Sequence, residues 1–210
     1  MPGTNLTREE ARERARLVTV DAYEVELDLT SAETTFASTT VVRFRCSEPG
    51  AATFADLVGA TVHELTLNGR RLDPSTAYAD SRISLDDLAD DNELRVVAEC
   101  AYSRTGEGLH RFVDPADDRT YLYTQFEVPD ARRVFASFEQ PDLKATFAFT
   151  VTAPSQWQVV SNSPTPVPDE AGAGVSVWRF PPTQRMSTYV TALVAGDYHV
   201  VRDSFHGRDA

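Results

Sequence analysis

Apolar residues recur at every second position through most of this chain, and that period constrains its fold more than any other feature. "AYEVELDLT" at 22–30 sets Tyr23, Val25, Leu27 and Leu29 against Glu24, Glu26 and Asp28. Successive side chains of a strand point to opposite faces, so this spacing predicts a strand with one buried face. "TFASTTVVRFRC" follows as a second strand, and "TVHELTLNGRRLD" reads as a hairpin closed by a type I′ turn at Asn68-Gly69. "RISL", "ELRVVAECAYS", "TYLYTQF", "KATFAFTVTAP", "WQVVSNS", "VSVWRF" and "STYVTALVAGDYHVV" continue the pattern. Pro and Gly punctuate the gaps, and "SPTPVPDEAGAG" at 163–174 reads as an exposed loop. No repeat of solenoid period occurs. The expected fold is all-β, a single domain over 1–210 with about a dozen short strands in two packed sheets.

Two segments break the period. Residues 7–16 predict a helix: Thr7 and Glu10 form a capping box and Leu6 with Ala11 a hydrophobic staple. Its body, "REEARERAR", has only small apolar residues, which predicts a surface position. At 130–140, Asp130 as N-cap, Val134 and Phe138 as i,i+4 partners and Pro141 as a stop predict a second, short helix.

The formal charge of -12 argues against nucleic acid as a partner, because phosphate neutralisation needs clustered Lys and Arg. No apolar run approaches the roughly 18 residues that span a membrane, and the N-terminus has no hydrophobic signal core. Cys46 shares a strand face with Val42 and Phe44, and Cys100 with Leu94, Val96 and Ala98. Both thiols therefore read as buried and reduced, which fits a cytoplasmic location. A disulfide between them would require neighbouring strands.

Catalytic signatures are incomplete. "HELTL" at 63–67 supplies four-fifths of the H-E-x-x-H zinc pattern, but Leu67 stands where the second imidazole is needed, and the segment alternates as a strand. His110, His199 and His206 have no carboxylate or thiol at ligand spacing, and neither a G-x-S-x-G elbow nor a glycine-rich phosphate loop occurs. The expectation is that this segment holds no catalytic residue and no metal. "TYLYTQFE" is different: Gln125 and Glu127 fall on one face if the strand continues, beside Tyr121 and Tyr123. Such a pair could receive a cationic amine and hydrogen-bond a backbone. On the residues alone, a simple ion pair of Glu127 with Arg132 or Arg133 is the plainer reading.

The run "GLHRFVDP…YLYTQFEVPDARRVFASFEQPDLKATFAFTVTAPSQWQVVSNSP", followed by "RMSTYVTALVAGDY", closely resembles the N-terminal domain of M1-type (gluzincin) zinc aminopeptidases of the aminopeptidase N group. The similarity extends from "AYEVELDL" to the C-terminus. Arginine in place of lysine, with Lys144 the sole lysine, points to a GC-rich bacterial source. The resemblance implies a saddle-like β-domain, followed after residue 210 by a thermolysin-like catalytic domain holding the zinc. It implies that Gln125 and Glu127 bind substrate: Glu127 contacts the α-ammonium of a peptide N-terminus, and Gln125 lines the pocket for the first side chain. It implies that Arg132, Arg133, Phe135 and Phe138 support that segment. This sequence has Phe-Ala-Ser-Phe-Glu-Gln-Pro where some members have Phe-Pro-Cys-Phe-Asp-Glu-Pro, which leaves the segment its role as scaffold and argues against a direct chemical role for Ser137 or Glu139. The 210 residues alone are expected to be inactive, with the absent catalytic domain as intramolecular partner. The alternative is a non-catalytic β-sandwich scaffold of the same fold.

Overall fold

The computed structural model describes residues 5–201, 203–205 and 208–209, and the side chains of the last four of these are not described. His206 lies outside the described residues. An eight-stranded sheet forms the base. Its middle is β1 (Val18–Asp28), antiparallel to β2 (Thr35–Cys46), which pairs with β8 (Asp91–Ala101). The hairpin of β4 (Thr61–Leu67) and β5 (Arg70–Leu72) extends one side. On the other side β11 (Thr146–Pro154) runs parallel to β1, followed by β14 (Val175–Arg179) and β13 (Asp169–Gly172).

The expected second layer is divided in two. A four-stranded sheet has the order β12 (Gln158–Ser161), β15 (Leu193–Gly196), β10 (Thr120–Gln125), β9 (Gly108–Val113). A three-stranded sheet has the order β3 (Thr53–Asp56), β7 (Arg82–Leu85), β6 (Tyr78–Ala79). A small ribbon, β16 (Ser204–Phe205) with β17 (Arg208–Asp209), closes the described chain.

The alternating residues fill the core as the period requires. Tyr23, Val25 and Leu27 of β1, Phe36, Val42 and Phe44 of β2, and Leu94, Val96 and Ala98 of β8 are all buried. Between the layers sits an aromatic cluster. The Tyr23 and Phe147 rings stack at 4.8 Å, and Phe135 meets Tyr23, Phe126, Phe147 and Phe149 edge-on at 5.9–6.2 Å. Offset and edge-on pairs of this kind add about 0.5–1.5 kcal/mol each beyond area burial.

Four expectations are corrected. The first helix, α1 (Arg8–Leu17), has the capping box, with the Thr7 hydroxyl accepting from Glu10 N and the Glu10 carboxylate from Thr7 N. It is not merely superficial, however, because Arg14 and Leu17 are buried. The segment 130–140 forms only one 3-10 turn, Ala131–Arg133, and the Asp130 side chain does not cap it. Its backbone is held by long-range bonds instead: Asp56 and Ser137 exchange N–H···O bonds at 2.7 and 3.0 Å, which an α-helix over 130–140 would forbid. Residues 163–174 are a loop only in part, since Asp169–Gly172 turns back as β13 onto β14. The expected strand over 187–201 is a strand only at Leu193–Gly196, preceded by a 3-10 turn at Thr188–Val190, and strands β3, β6 and β9 and a four-residue helix, α2 (Pro74–Ala77), lie outside the alternating segments. The Asn68-Gly69 turn, by contrast, has φ of 52° and 76°, as a type I′ hairpin needs.

The cysteines are both buried and free. Their strands are neighbours, but Cys100 pairs opposite Phe36, ten residues from Cys46 along β2, so about 30 Å separates them. Burial pushes the Cys100 thiol up to about 12, which makes it inert as a nucleophile.

Candidate functional site

Gln125 is the last residue of β10, and Glu127 lies two residues on, in the turn that leads to a cis Val128–Pro129 bond. Between them Phe126 is driven into the core against Phe135. That burial turns its two neighbours outward, and both Gln125 and Glu127 are exposed. The strand ends at Gln125, so the condition for placing both on one strand face is not met, yet the outward orientation survives because Phe126 anchors the turn.

Glu127 makes no ion pair and no hydrogen bond among the described residues. The expected pairing with Arg132 or Arg133 does not occur, because both arginines are engaged elsewhere. Arg132 is buried and donates from Nε to the Pro129 carbonyl at 2.9 Å. Arg133 Nε donates to Asp130 Oδ1 at 2.6 Å, and its Nη2 lies 3.1 Å from Glu107. The Arg133 stem also lies over Gly108, whose added Cβ would come within 3.0 Å of Arg133 Cβ. Gly108 has φ of +63° and pairs with Gln125 across β9–β10. A side chain there would be strained and would displace the arginine, so glycine locks the Gln125 strand end to the turn after it.

Behind the turn lies a buried polar network that the sequence reading did not anticipate. Glu139 is 6% exposed and accepts from the Arg132 backbone N–H at 2.8 Å and from the Thr188 hydroxyl. Loss of solvent raises its pKa to about 7, with the nearby Asp56 charge acting in the same direction and both hydrogen bonds opposing. Asp56 Oδ2 accepts from Glu139 N at 3.1 Å and from Arg14 Nη1 at 2.7 Å. Arg14, only 1% exposed, also donates from Nε to Gln140, and Gln140 Nε2 donates to the Ala11 carbonyl. Tyr23 OH accepts from Phe138 N at 3.0 Å. Apart from the Glu139–Arg132 bond, its partners are 42 to 129 residues apart in sequence, so no local pattern signals the network.

The four-stranded sheet presents an apolar outer face beside this turn. Val160, Val194, Tyr123 and His110 form one row across its four strands, and Phe112 faces Tyr121 in the next. Phe112, Tyr123 and Val160 are all more than 40% exposed. The inner face carries the buried Val159, Leu193, Ala195, Leu122 and Leu109. Gln125 and Gly108 end the same outer rows.

His63 lies exposed on β4, and His199 is exposed as well. His110 accepts at Nδ1 from Gly106 N at 3.2 Å and lies 4.9 Å from the Tyr123 ring. Among the described residues no three His, Cys, Asp or Glu side chains are grouped so as to hold a metal ion. No helix among them is long and apolar enough to cross a membrane.

A family model described as the Peptidase M1 N-terminal domain matches residues 19–190. Over 208 residues the chain is 64% identical to an aminopeptidase N of Streptomyces lividans, covering 98% of this chain and 24% of that protein. It is 42% identical over 91 residues to an aminopeptidase N of Acetobacter pasteurianus, covering 43% of this chain and 26% of the relative. A probable aminopeptidase 1 of Sulfurisphaera tokodaii is 27% identical over 187 residues, 89% of this chain and 23% of that protein. The chain thus spans about a quarter of the length of the curated relatives it matches.

Proposed function

The chain belongs to the M1 peptidase N-terminal domain family, and on that premise we propose that it is the substrate-amine-recognising domain of a larger metallo-aminopeptidase. In this reading Glu127 receives the α-ammonium of a peptide and Gln125 bonds the backbone or first side chain beside it. The observation that carries the reading is an outward Glu127 carboxylate with no partner among the described residues, on a turn anchored by the buried Phe126 and by the Arg132 bond to the Pro129 carbonyl. A hydrogen bond to a charged group contributes about 1.5–3 kcal/mol, and more of that is kept when the acceptor needs no rearrangement. Anchoring the amine fixes the distance from the chain end to the first peptide bond, so selectivity for the terminal residue follows from geometry.

The described residues offer no set of ligands that fits zinc, so no chemical step is derived through a metal in this chain. Zinc and the bond-breaking step belong, in this proposal, to a catalytic domain that packs against the outer face of the four-stranded sheet. Two buried free thiols fit a reducing, cytoplasmic setting. A purely scaffolding role would leave the free carboxylate at 127 without a use.

The test is Glu127→Gln in the full-length polypeptide, assayed on aminoacyl anilides. Catalytic efficiency is expected to fall about 10- to 100-fold, carried mainly by KM, since one charge-assisted contact is lost. Unaltered kinetics would remove Glu127 from substrate recognition.

A further inference from the structure

We propose that Glu139, acting through Arg132, is a positioning residue that sets where the Glu127 carboxylate stands. The inference rests on the reading of Glu127 as the amine anchor. Glu127 has no side-chain bond among the described residues, so its location depends on the backbone of 126–130. Contacts of Phe126, Asp130, Arg132 and Arg133 define that backbone. Phe126 is buried, Asp130 N donates to the Phe126 carbonyl at 3.2 Å, and the Pro129 carbonyl accepts from Arg132 Nε. Arg133 reaches the turn as well, its N–H donating to the Asp130 carbonyl at 3.1 Å and its Nε to Asp130 Oδ1 at 2.6 Å, and Arg132 is itself fixed from behind. Its N–H is held by Glu139 Oε2, and its carbonyl accepts from Val58 N at 2.7 Å.

Glu139 is in turn fixed on three sides. The Thr188 hydroxyl binds its other oxygen, and its own N–H is held by Asp56, which Arg14 of α1 clamps in place. A single carboxylate therefore joins the 187–191 segment to the 131–133 turn, and its own backbone is tied to β3. Burying a carboxylate is costly, and a well-packed apolar side chain in its place is often neutral or stabilising. An apolar residue could not accept the Arg132 N–H, however, and that bond sets the register of the turn.

The experiment is a double-mutant cycle in the full-length polypeptide, with Glu139→Gln and Glu127→Gln made singly and together. Gln keeps the volume of Glu139 but gives up one acceptor oxygen and the charge. Glu139→Gln is expected to raise KM about five- to tenfold with kcat changed less than twofold, and to have less than a twofold effect once Glu127 is replaced. Arg132→Met keeps the backbone N–H but removes the bond to Pro129, and is expected to show the same KM effect and the same dependence on Glu127. It serves as the second variant should Glu139→Gln not fold. An equal loss in both backgrounds would make Glu139 merely structural and overturn the proposal. So would full activity in Glu139→Gln or Arg132→Met while Glu127→Gln is impaired. Unimpaired Glu127→Gln would instead overturn the underlying reading.

Discussion

Glu139 is a carboxylate placed where water reaches it poorly, and its titration has a consequence for stability. Its pKa in the folded chain is about 7, above the ordinary 4.5, so between these values the folded form holds a proton that the unfolded form has released. Stability from this group is complete below about pH 4.5 and is lost as pH rises through 7. The difference amounts to at most about 3 kcal/mol. Urea unfolding of the 210-residue chain is therefore expected to give a lower free energy at pH 8 than at pH 5, and Glu139→Gln should flatten that part of the profile. An identical slope in both proteins would place the titration elsewhere. Glu10 has the opposite sign: paired with Arg82 at 2.5 Å, its carboxyl is held down to about 2, so its contribution fades only in acid. Neither behaviour is legible in the sequence. Glu139 reads as one more acid in an acidic chain until Asp56 and Thr188, 83 and 49 residues away, are brought to it. The outward placement of Gln125 and Glu127 is legible, because an aromatic residue separates them and a buried Phe126 turns both outward.

Helix α1 shows how far local pattern reaches at the scale of an element. Its start is written in Thr7 and Glu10, and the capping box forms as read. Its docking is not, because Arg14 looks like one more arginine of a charged helix. In the fold it is buried, bonded to Asp56 and Gln140, and lies 4.8 Å from the Phe54 ring centroid. Removing one member of a buried pair leaves the other charge uncompensated, at a cost of about 3–5 kcal/mol, whereas loss of a helix cap costs about 1 kcal/mol. Arg14→Met is thus expected to destabilise the chain severalfold more than Thr7→Ala, measured by urea unfolding. Equal effects would mean that the buried pair does not anchor the helix. The same limit accounts for the region 130–140. Its helical spacing of Val134 and Phe138 is real, and both residues are buried, but bonds to β3 and to Tyr23 outcompete the intrahelical ladder. The long strands β1, β2, β8 and β11, by contrast, follow from alternation alone. Burial of one sheet face is a local demand that each segment meets independently of its partners.

On the scale of the whole molecule, the outer face of the four-stranded sheet differs from that of the base sheet. The outer side of the base is polar, with Arg43 bonded to both Glu24 and Glu93 and Arg95 to Glu64. The outer face of the small sheet instead exposes Phe112, Tyr123 and Val160 in adjoining rows that end at Gln125. Contiguous apolar surface of this kind marks a contact site. The chain covers about a quarter of its relatives' length, so the proposed occupant is the catalytic domain of the same polypeptide. The joint substitution Phe112→Ser and Val160→Ser separates that role from a structural one. In the 210-residue chain both side chains are already half in water, so the unfolding free energy should change by no more than about 0.5 kcal/mol. In the full-length polypeptide the same pair would face a packed interface, where truncating an aromatic anchor typically costs 2 kcal/mol or more. Activity and resistance to limited proteolysis should then fall while the isolated domain melts unchanged. If both proteins respond alike, or neither does, this face is not where the proposed catalytic domain docks, and the proposed amine anchor at Glu127 loses its route to a reacting bond.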